Sequence, residues 1–108
     1  MKGYVVCVYK NISNEEKLKE YAVKARIAVE KYKGKFLIRG GKATANEGES
    51  SPRTVVIEFP SYNEANLFYK SKEYQEAHEI LKGHAIRHHQ TIEGLSLIHI
   101  SEPTRLTC

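Results

Sequence analysis

The sequence contains no aspartate, so any carboxylate chemistry falls to glutamate. It also lacks an apolar run approaching the ~20 residues needed to span a bilayer. The opening stretch MKGYVVCVYKN is briefly apolar but has no small-residue cleavage site, so no signal peptide is read there and the cytoplasm is the expected location. Cysteine is scarce: Cys7 lies inside an apolar run and Cys108 is the last residue, which gives no disulfide framework. Cys7 reads as a buried reduced thiol. No G-x-G-x-x-G, Walker loop, nucleophile elbow, haem attachment site or H-E-x-x-H is present, so no cofactor is expected. His84 and His88 have the i, i+4 spacing of a shared metal, with His78 and His89 nearby. The segment, however, should pass from helix to strand between them, and no metal site is expected.

What is present is enough for one modest domain. At 108 residues the chain supports a single core. The net charge of +4 comes from lysines interleaved with glutamates on helical surfaces, such as Lys17, Lys24 and Lys31. That pattern describes a solvated face better than a nucleic-acid footprint. GYVVCVY is a short β-branched and aromatic run that reads as a buried strand. SNEE follows, with Ser13 and Glu16 placed as a capping box. Leu18, Tyr21, Ala22, Ala25, Ala28, Val29 and Tyr32 then recur at helical spacing, and Gly34 sits where a helix-ending glycine is expected. KFLIRGG is a second strand, with Gly40 and Gly41 suggesting a bulge and KATANEGESSP a short continuation. RTVVIEF is a third strand, stopped by Pro60. Ser61 and Glu64 form a second capping box, and the helix behind them should break near KSKEY, with Ser71 capping a new helix that runs to Leu81. RHHQTIEG is a more polar strand, as suits an edge.

The order β-α-β-β-α-β predicts an α+β, ferredoxin-like fold: one antiparallel sheet with the helices on one face. Strict alternation puts Val55, Ile57 and Phe59 towards the helices and Val56, Glu58, Leu37 and Arg39 on the opposite face. That second face is too apolar to be left bare, and a second copy of the chain is its expected cover.

The segments YKGKFLIRGG, EGESSPRTVVIEFPSYNEA, FYKSKEYQEA and IEGL, in this order, resemble the family catalogued as domain of unknown function 1330, within the dimeric α+β barrel superfamily. The resemblance runs from Gly3 to about Leu95. It implies a homodimer whose two sheets face each other and enclose a cleft, and relatives of that superfamily include cofactor-independent oxygenases, lactone isomerases and plain binding modules. Lys33 stands where the family usually has the first of two glycines, and Lys82 replaces a common arginine. Residues 1–94 are therefore expected to be the domain. LSLIHISEPTR, from Leu95 to Arg105, resembles the translation of an end adapter used in transposase-based sequencing libraries. Residues 95–108 are accordingly expected to be a non-native tail, as in a frame read from a metagenomic fragment.

The candidate catalytic residues are Arg39 as an oxyanion or carboxylate binder, Glu58 as a proton acceptor and His88 as an acid or base. His89 is the alternative to His88, since adjacent residues of a strand face opposite ways. Tyr4, Tyr69 and Tyr74 are candidate ligand-binding residues, because their hydroxyls suit the edge of a polar ligand. The function read from these residues is a homodimer that binds a small polar or aromatic molecule in a barrel cleft, with isomerase or oxygenase-like chemistry. The alternative is a non-catalytic dimeric binding or interaction module. No membrane association is expected. RNA binding is not expected either, because no aromatic pair sits on the central strands.

Overall fold

The computed structural model describes residues 1–95; the expectation for the tail lies, from residue 96 on, outside the described residues. The elements are β1 (Gly3–Ile12), α1 (Glu15–Lys31), β2 (Lys35–Arg39), β3 (Thr54–Phe59), α2 (Tyr62–Lys70), α3 (Lys72–Leu81) and β4 (Ala85–Glu93). The strands form one antiparallel sheet in the order β2-β3-β1-β4. This is the α+β, ferredoxin-like arrangement that the order of elements implied. The second helical stretch is divided at Ser71, whose extended backbone ends α2 and whose hydroxyl accepts from the Tyr74 amide at 3.1 Å to start α3. No helix among the described residues is long and apolar enough to cross a membrane.

Alternation along β1 sends Val5, Cys7 and Tyr9 towards the helices, where they are buried with Ile57 and Phe59 of β3. Helix α2 lies closest to this face. Phe68 meets Phe59 with ring centroids 4.9 Å apart and Tyr74 at 4.8 Å. Each such fully buried aromatic contributes roughly 1.5–3 kcal/mol of apolar transfer. Helix α1 packs mainly against α3, and both stand further off the sheet than α2. Small residues, Ala25 and Ala28, occupy its buried stripe.

Four local expectations require correction. Asn14, not Ser13, caps α1: its side chain accepts from the Lys17 amide at 3.1 Å. Ser13 instead donates its hydroxyl to the His84 carbonyl, tying the end of β1 to the start of β4. The irregularity in β2 falls at Leu37 rather than at the glycine pair, because Phe36 pairs with Ile57 while Ile38 pairs with Val56. Gly40 and Gly41, both at positive φ, lie beyond the strand, and residues 42–53 add nothing to it. At the end of α1 the left-handed residue is Lys33, at φ 64. Gly34 is required for a different reason: a Cβ there would come within 2.7 Å of the Phe59 ring.

The bulge at Leu37 has a consequence for the site. One extra residue inverts the alternation beyond it. Arg39 therefore pairs with Val55 and joins the helix-facing side, opposite to its expected face. The face turned away from the helices carries Tyr4, Val6, Val8, Ile38, Val56, Glu58, Ile86, His88 and Ile92. Ile38 is 47% exposed and Ile86 62%, so this face presents a broad apolar surface.

Candidate functional site

Glu58, His88 and Arg39 do not converge. Glu58 accepts a hydrogen bond from the Tyr4 hydroxyl at 3.0 Å and lies 3.8 Å from the Lys2 ammonium. That bond to the carboxylate, followed by burial and the carboxylate's charge, raises the pKa of Tyr4. His88 is exposed on the same face, opposite Val8, whereas Glu58 is opposite Tyr4. Four residues of strand separate those two positions, about 13 Å. Arg39 is on the other face, with its guanidinium 4.6 Å from the centre of the Phe36 ring.

A different set does converge, on the helix-facing side of β4. In register with β1, Arg87 lies opposite Tyr9 and His89 opposite Cys7. The inward-pointing guanidinium of Arg87 is surrounded by hydroxyls. Its Nη1 donates to Tyr9 at 3.1 Å and to Tyr21 at 3.0 Å, and its Nη2 donates to Tyr74 at 2.7 Å. The Tyr21 and Tyr74 hydroxyls are 2.9 Å apart and hydrogen-bonded to each other. Cys7 Sγ lies 3.6 Å from Nη1. The cation also sits over two of the rings, 5.5 Å from the centroid of Tyr9 and 5.0 Å from that of Tyr21.

Burial governs the titration of the whole cluster. It pushes Tyr9 up to about 12 and Tyr21 well above its ordinary value, the neighbouring Tyr74 hydroxyl adding to the latter. It raises Tyr74 and Cys7 as well, with Arg87 opposing in both cases. His89 goes the other way. Burial first, then the positive field of Arg87, lowers it to about 3. Near pH 7 the cluster therefore holds three neutral phenols, a thiol, a neutral imidazole and one guanidinium, which does not deprotonate in proteins. Among the described residues no carboxylate lies within salt-bridge distance of Arg87. A half-buried cation is thus held by dipoles alone.

Arg87 and His89 also face outward, into a groove of about 390 Å³ between α3 and β4, which Tyr69, His78, Leu81, Lys82 and Ile86 complete. Among the described residues its lining carries Arg87 and Lys82 and no carboxylate. Lys82 is 3.6 Å from Glu79 on the solvent side of α3. Tyr69 and His89 rings are 5.1 Å apart, and His78 stacks on Tyr74 at 6.1 Å. Burial, Arg87 and Lys82 together lower the pKa of His78, so it too favours its neutral form. The guanidinium has five N–H donors in all, and nothing among the described residues accepts from its Nε. Among the described residues no fully buried side-chain polar atom lacks a partner, so this Nε keeps some accessible surface. Among the described residues no group of three His, Cys or Glu side chains is placed to hold a metal.

Of the ligand-binding candidates read from the sequence, Tyr74 anchors Arg87, Tyr69 lines the groove and Tyr4 belongs to the opposite face. Arg87, Tyr9 and Tyr21 were not anticipated as site residues. Alternation in AIRHHQTIE contains the signal, because Arg87 falls on the strand face that continues Cys7 and Tyr9. An inward-pointing charge needs a purpose. The register between β1 and β4, which reveals it, is a tertiary fact.

The sequence matches the family described as Domain of unknown function (DUF1330) over residues 2–95. The chain belongs to that family. No curated protein matches its sequence. Among solved structures it is similar to a protein of unknown function from Rhodopseudomonas palustris, at 14% identity, 88% coverage of this chain, 83% of that chain and a TM-score of 0.71. A dimeric protein of unknown function with a ferredoxin-like fold, from Bacteroides fragilis, is 17% identical, covering 86% of this chain and 96% of the other at a TM-score of 0.51. A protein from Caulobacter crescentus assigned to antibiotic biosynthesis monooxygenases is 8% identical, with 88% and 90% coverage and a TM-score of 0.58. Likeness at these identities concerns the fold alone.

Proposed function

We propose that this DUF1330 protein is a homodimer that binds a small organic anion, a carboxylate or phenolate with an aromatic or apolar body, in the α3–β4 groove. The observation that carries the reading is the Arg87 guanidinium, fixed by three tyrosine hydroxyls, uncompensated by any carboxylate among the described residues and lining that groove. A cation held this way costs desolvation without an ion pair to offset it. An arriving anion supplies the missing charge, through hydrogen bonds worth roughly 1.5–3 kcal/mol each. Tyr69 and His78 offer the body of the ligand a stacking wall. The ligand site is then on the helix side of the sheet, not in the cleft between two sheets. Pairing of the apolar sheet faces supplies the dimer, in keeping with the dimeric relative from Bacteroides fragilis.

Binding is better supported than turnover. A base is most effective when its pKa lies near the working pH, and His89, at about 3, is far from it. A bound anion would raise that pKa, and only in that state does His89 become a competent proton carrier for isomerase or oxygenase-like chemistry. The non-catalytic binding module read as the alternative is favoured by this observation and by the scatter of Arg39, Glu58 and His88.

Titration of the protein with benzoate and, separately, with the uncharged benzamide, followed by calorimetry and thermal shift, tests the reading. Benzoate should bind and raise the melting temperature, benzamide should not, and Arg87→Met should remove the benzoate response. Equal responses to both compounds, or a benzoate response that survives Arg87→Met, would overturn it.

A further inference from the structure

Between α1 and the helix-facing side of the sheet lies a second space, of about 40 Å³ and partly open. Its inner walls are the buried Val5 and Ile57 of the sheet and Leu18, Ala25 and Val29 of α1. At the β4 end it shares Arg87 and His89 with the α3–β4 groove. Towards β2 the lining changes. Phe36, Arg53 and Val55 are half-buried there and Arg39 is exposed, so the space meets solvent at this end. Register brings its two arginines together. Arg39 pairs with Val55, and Arg53 precedes Val55 by two residues on the same face. Such diagonal neighbours are about 7–8 Å apart, within reach of each other's long side chains. The Arg53 carbonyl accepts from the Tyr9 amide at 2.9 Å, and Tyr9 is in turn opposite Arg87. Three guanidinium groups therefore share one corner of this face, and the described lining holds no carboxylate.

The three are not equivalent. Arg87 is engaged by the hydroxyls of Tyr9, Tyr21 and Tyr74. Among the described residues the side chains of Arg39 and Arg53 donate no hydrogen bond and form no ion pair. Glu30 shares an outer groove with Arg39 but pairs with Arg26 at 3.3 Å. Both free guanidinium groups are nevertheless held in place. Arg39 lies 4.6 Å from the centre of the Phe36 ring. Arg53 rests against Gly40, at φ 78, where a Cβ would stand 3.2 Å from its Nη1. We propose that Arg39 and Arg53 form a second anion site, for a short-chain aliphatic monocarboxylate whose tail enters the space beneath α1. Guanidinium forks match a carboxylate's two oxygens, and one carboxylate between the two cations offsets their mutual repulsion. Arg87 already has its acceptors on this side, so the charged end belongs at the open end and a second acid group has no place inside. Size sets the tail. An engineered cavity that accepts benzene measures about 150 Å³ and a water needs about 10–15 Å³, so the inner space suits about three heavy atoms and excludes an aromatic ring. The site stands on residues other than those of the α3–β4 groove and does not depend on that reading.

Methyl-labelled protein titrated with butyrate, with the uncharged butyramide and with acetate gives the test. Butyrate should saturably shift the methyl signals of Val29, Val55 and Ile57 and the Nε–H signals of Arg39 and Arg53, while the exposed Val23 and Ile86 stay put. Butyramide should shift none of them. Arg39→Met and Arg53→Met should each weaken butyrate binding about tenfold or more, the scale of one charge-assisted hydrogen bond. Ala25→Leu, which fills the inner space from α1, should weaken butyrate and spare acetate; Ala25→Val serves if the larger side chain prevents folding. No shift at the lining methyls, an equal response to butyramide, or butyrate binding that survives the double variant Arg39→Met/Arg53→Met would overturn the site. Acetate that binds as tightly as butyrate would overturn the role given to the inner space. Neither arginine lines the α3–β4 groove, so the benzoate response should persist in the double variant. Benzoate binding without a butyrate response overturns this site alone, and the reverse result overturns the groove reading and leaves this site standing.

Discussion

Acid should unfold this protein chiefly through one histidine. His89 is lowered to about 3 by burial and by Arg87, against an ordinary value of 6.5. A group whose pKa falls on folding binds more protons in the unfolded chain, so its contribution is present above 6.5 and is lost as pH falls towards 3. Each unit is worth about 1.4 kcal/mol. Between pH 7 and 4.5 the loss from His89 alone should be about 3 kcal/mol, and on the order of 4 kcal/mol or more by pH 3. His78, lowered in the same direction, adds to the slope. Glu73 is also lowered, first by its hydrogen bond to Lys31, but that pair is exposed and contributes little. Urea denaturation followed at half-unit steps from pH 7.5 to 4 measures the slope, and a two-dimensional imidazole spectrum assigns it. His89→Gln should be less dependent on pH by about 3 kcal/mol over the same range. A wild-type protein whose stability is flat from 7 to 5, or a His89 that titrates near 6.5, would refute the argument.

Other consequences are more local. Lys33→Gly should stabilise the fold by about 1 kcal/mol in urea melts, since Lys33 adopts the left-handed conformation at φ 64 that costs a side chain roughly that much. Asn14→Ala should cost about 1 kcal/mol by removing the cap of α1, an effect visible in helical circular dichroism as well as in stability. Glu58→Gln should leave benzoate binding unchanged in calorimetry, because Glu58 faces away from the groove and is engaged by Tyr4.

The fold was legible because its signals are local. The β-branched and aromatic runs VVCVY and TVVIEF, the helical spacing of Leu18, Tyr21, Ala25 and Val29, and the serine caps at Ser61 and Ser71 each specify an element without reference to distant residues. The order of those elements then leaves few topologies. The first cap was misplaced because Ser13 and Asn14 are both competent, and only the approach of His84 occupies the serine. The candidate site was legible only in part. Arg39 was assigned to the wrong face because a bulge at Leu37 inverts alternation, and nothing in KFLIR marks which residue is extra. Arg87 was missed because the meaning of a charged residue on an edge strand depends on its register with β1 and on Tyr21 and Tyr74, which are brought from two helices. Tyr74 and Tyr69 were found, since tyrosines flanking a helix break are visible in the chain itself.

The central claim is that Arg87 is the anchor of an anion site opening on the α3–β4 groove. Its Nε–H resonance, assigned by comparison with Arg87→Lys and followed while benzoate is added, reports on that claim most directly. The Arg87 signal should move saturably with the same dissociation constant as calorimetry gives, together with the ring signals of His89 and Tyr69. Benzoate that binds without moving Arg87, shifting instead His88, Glu58 and Tyr4 on the opposite face of the sheet, would contradict it.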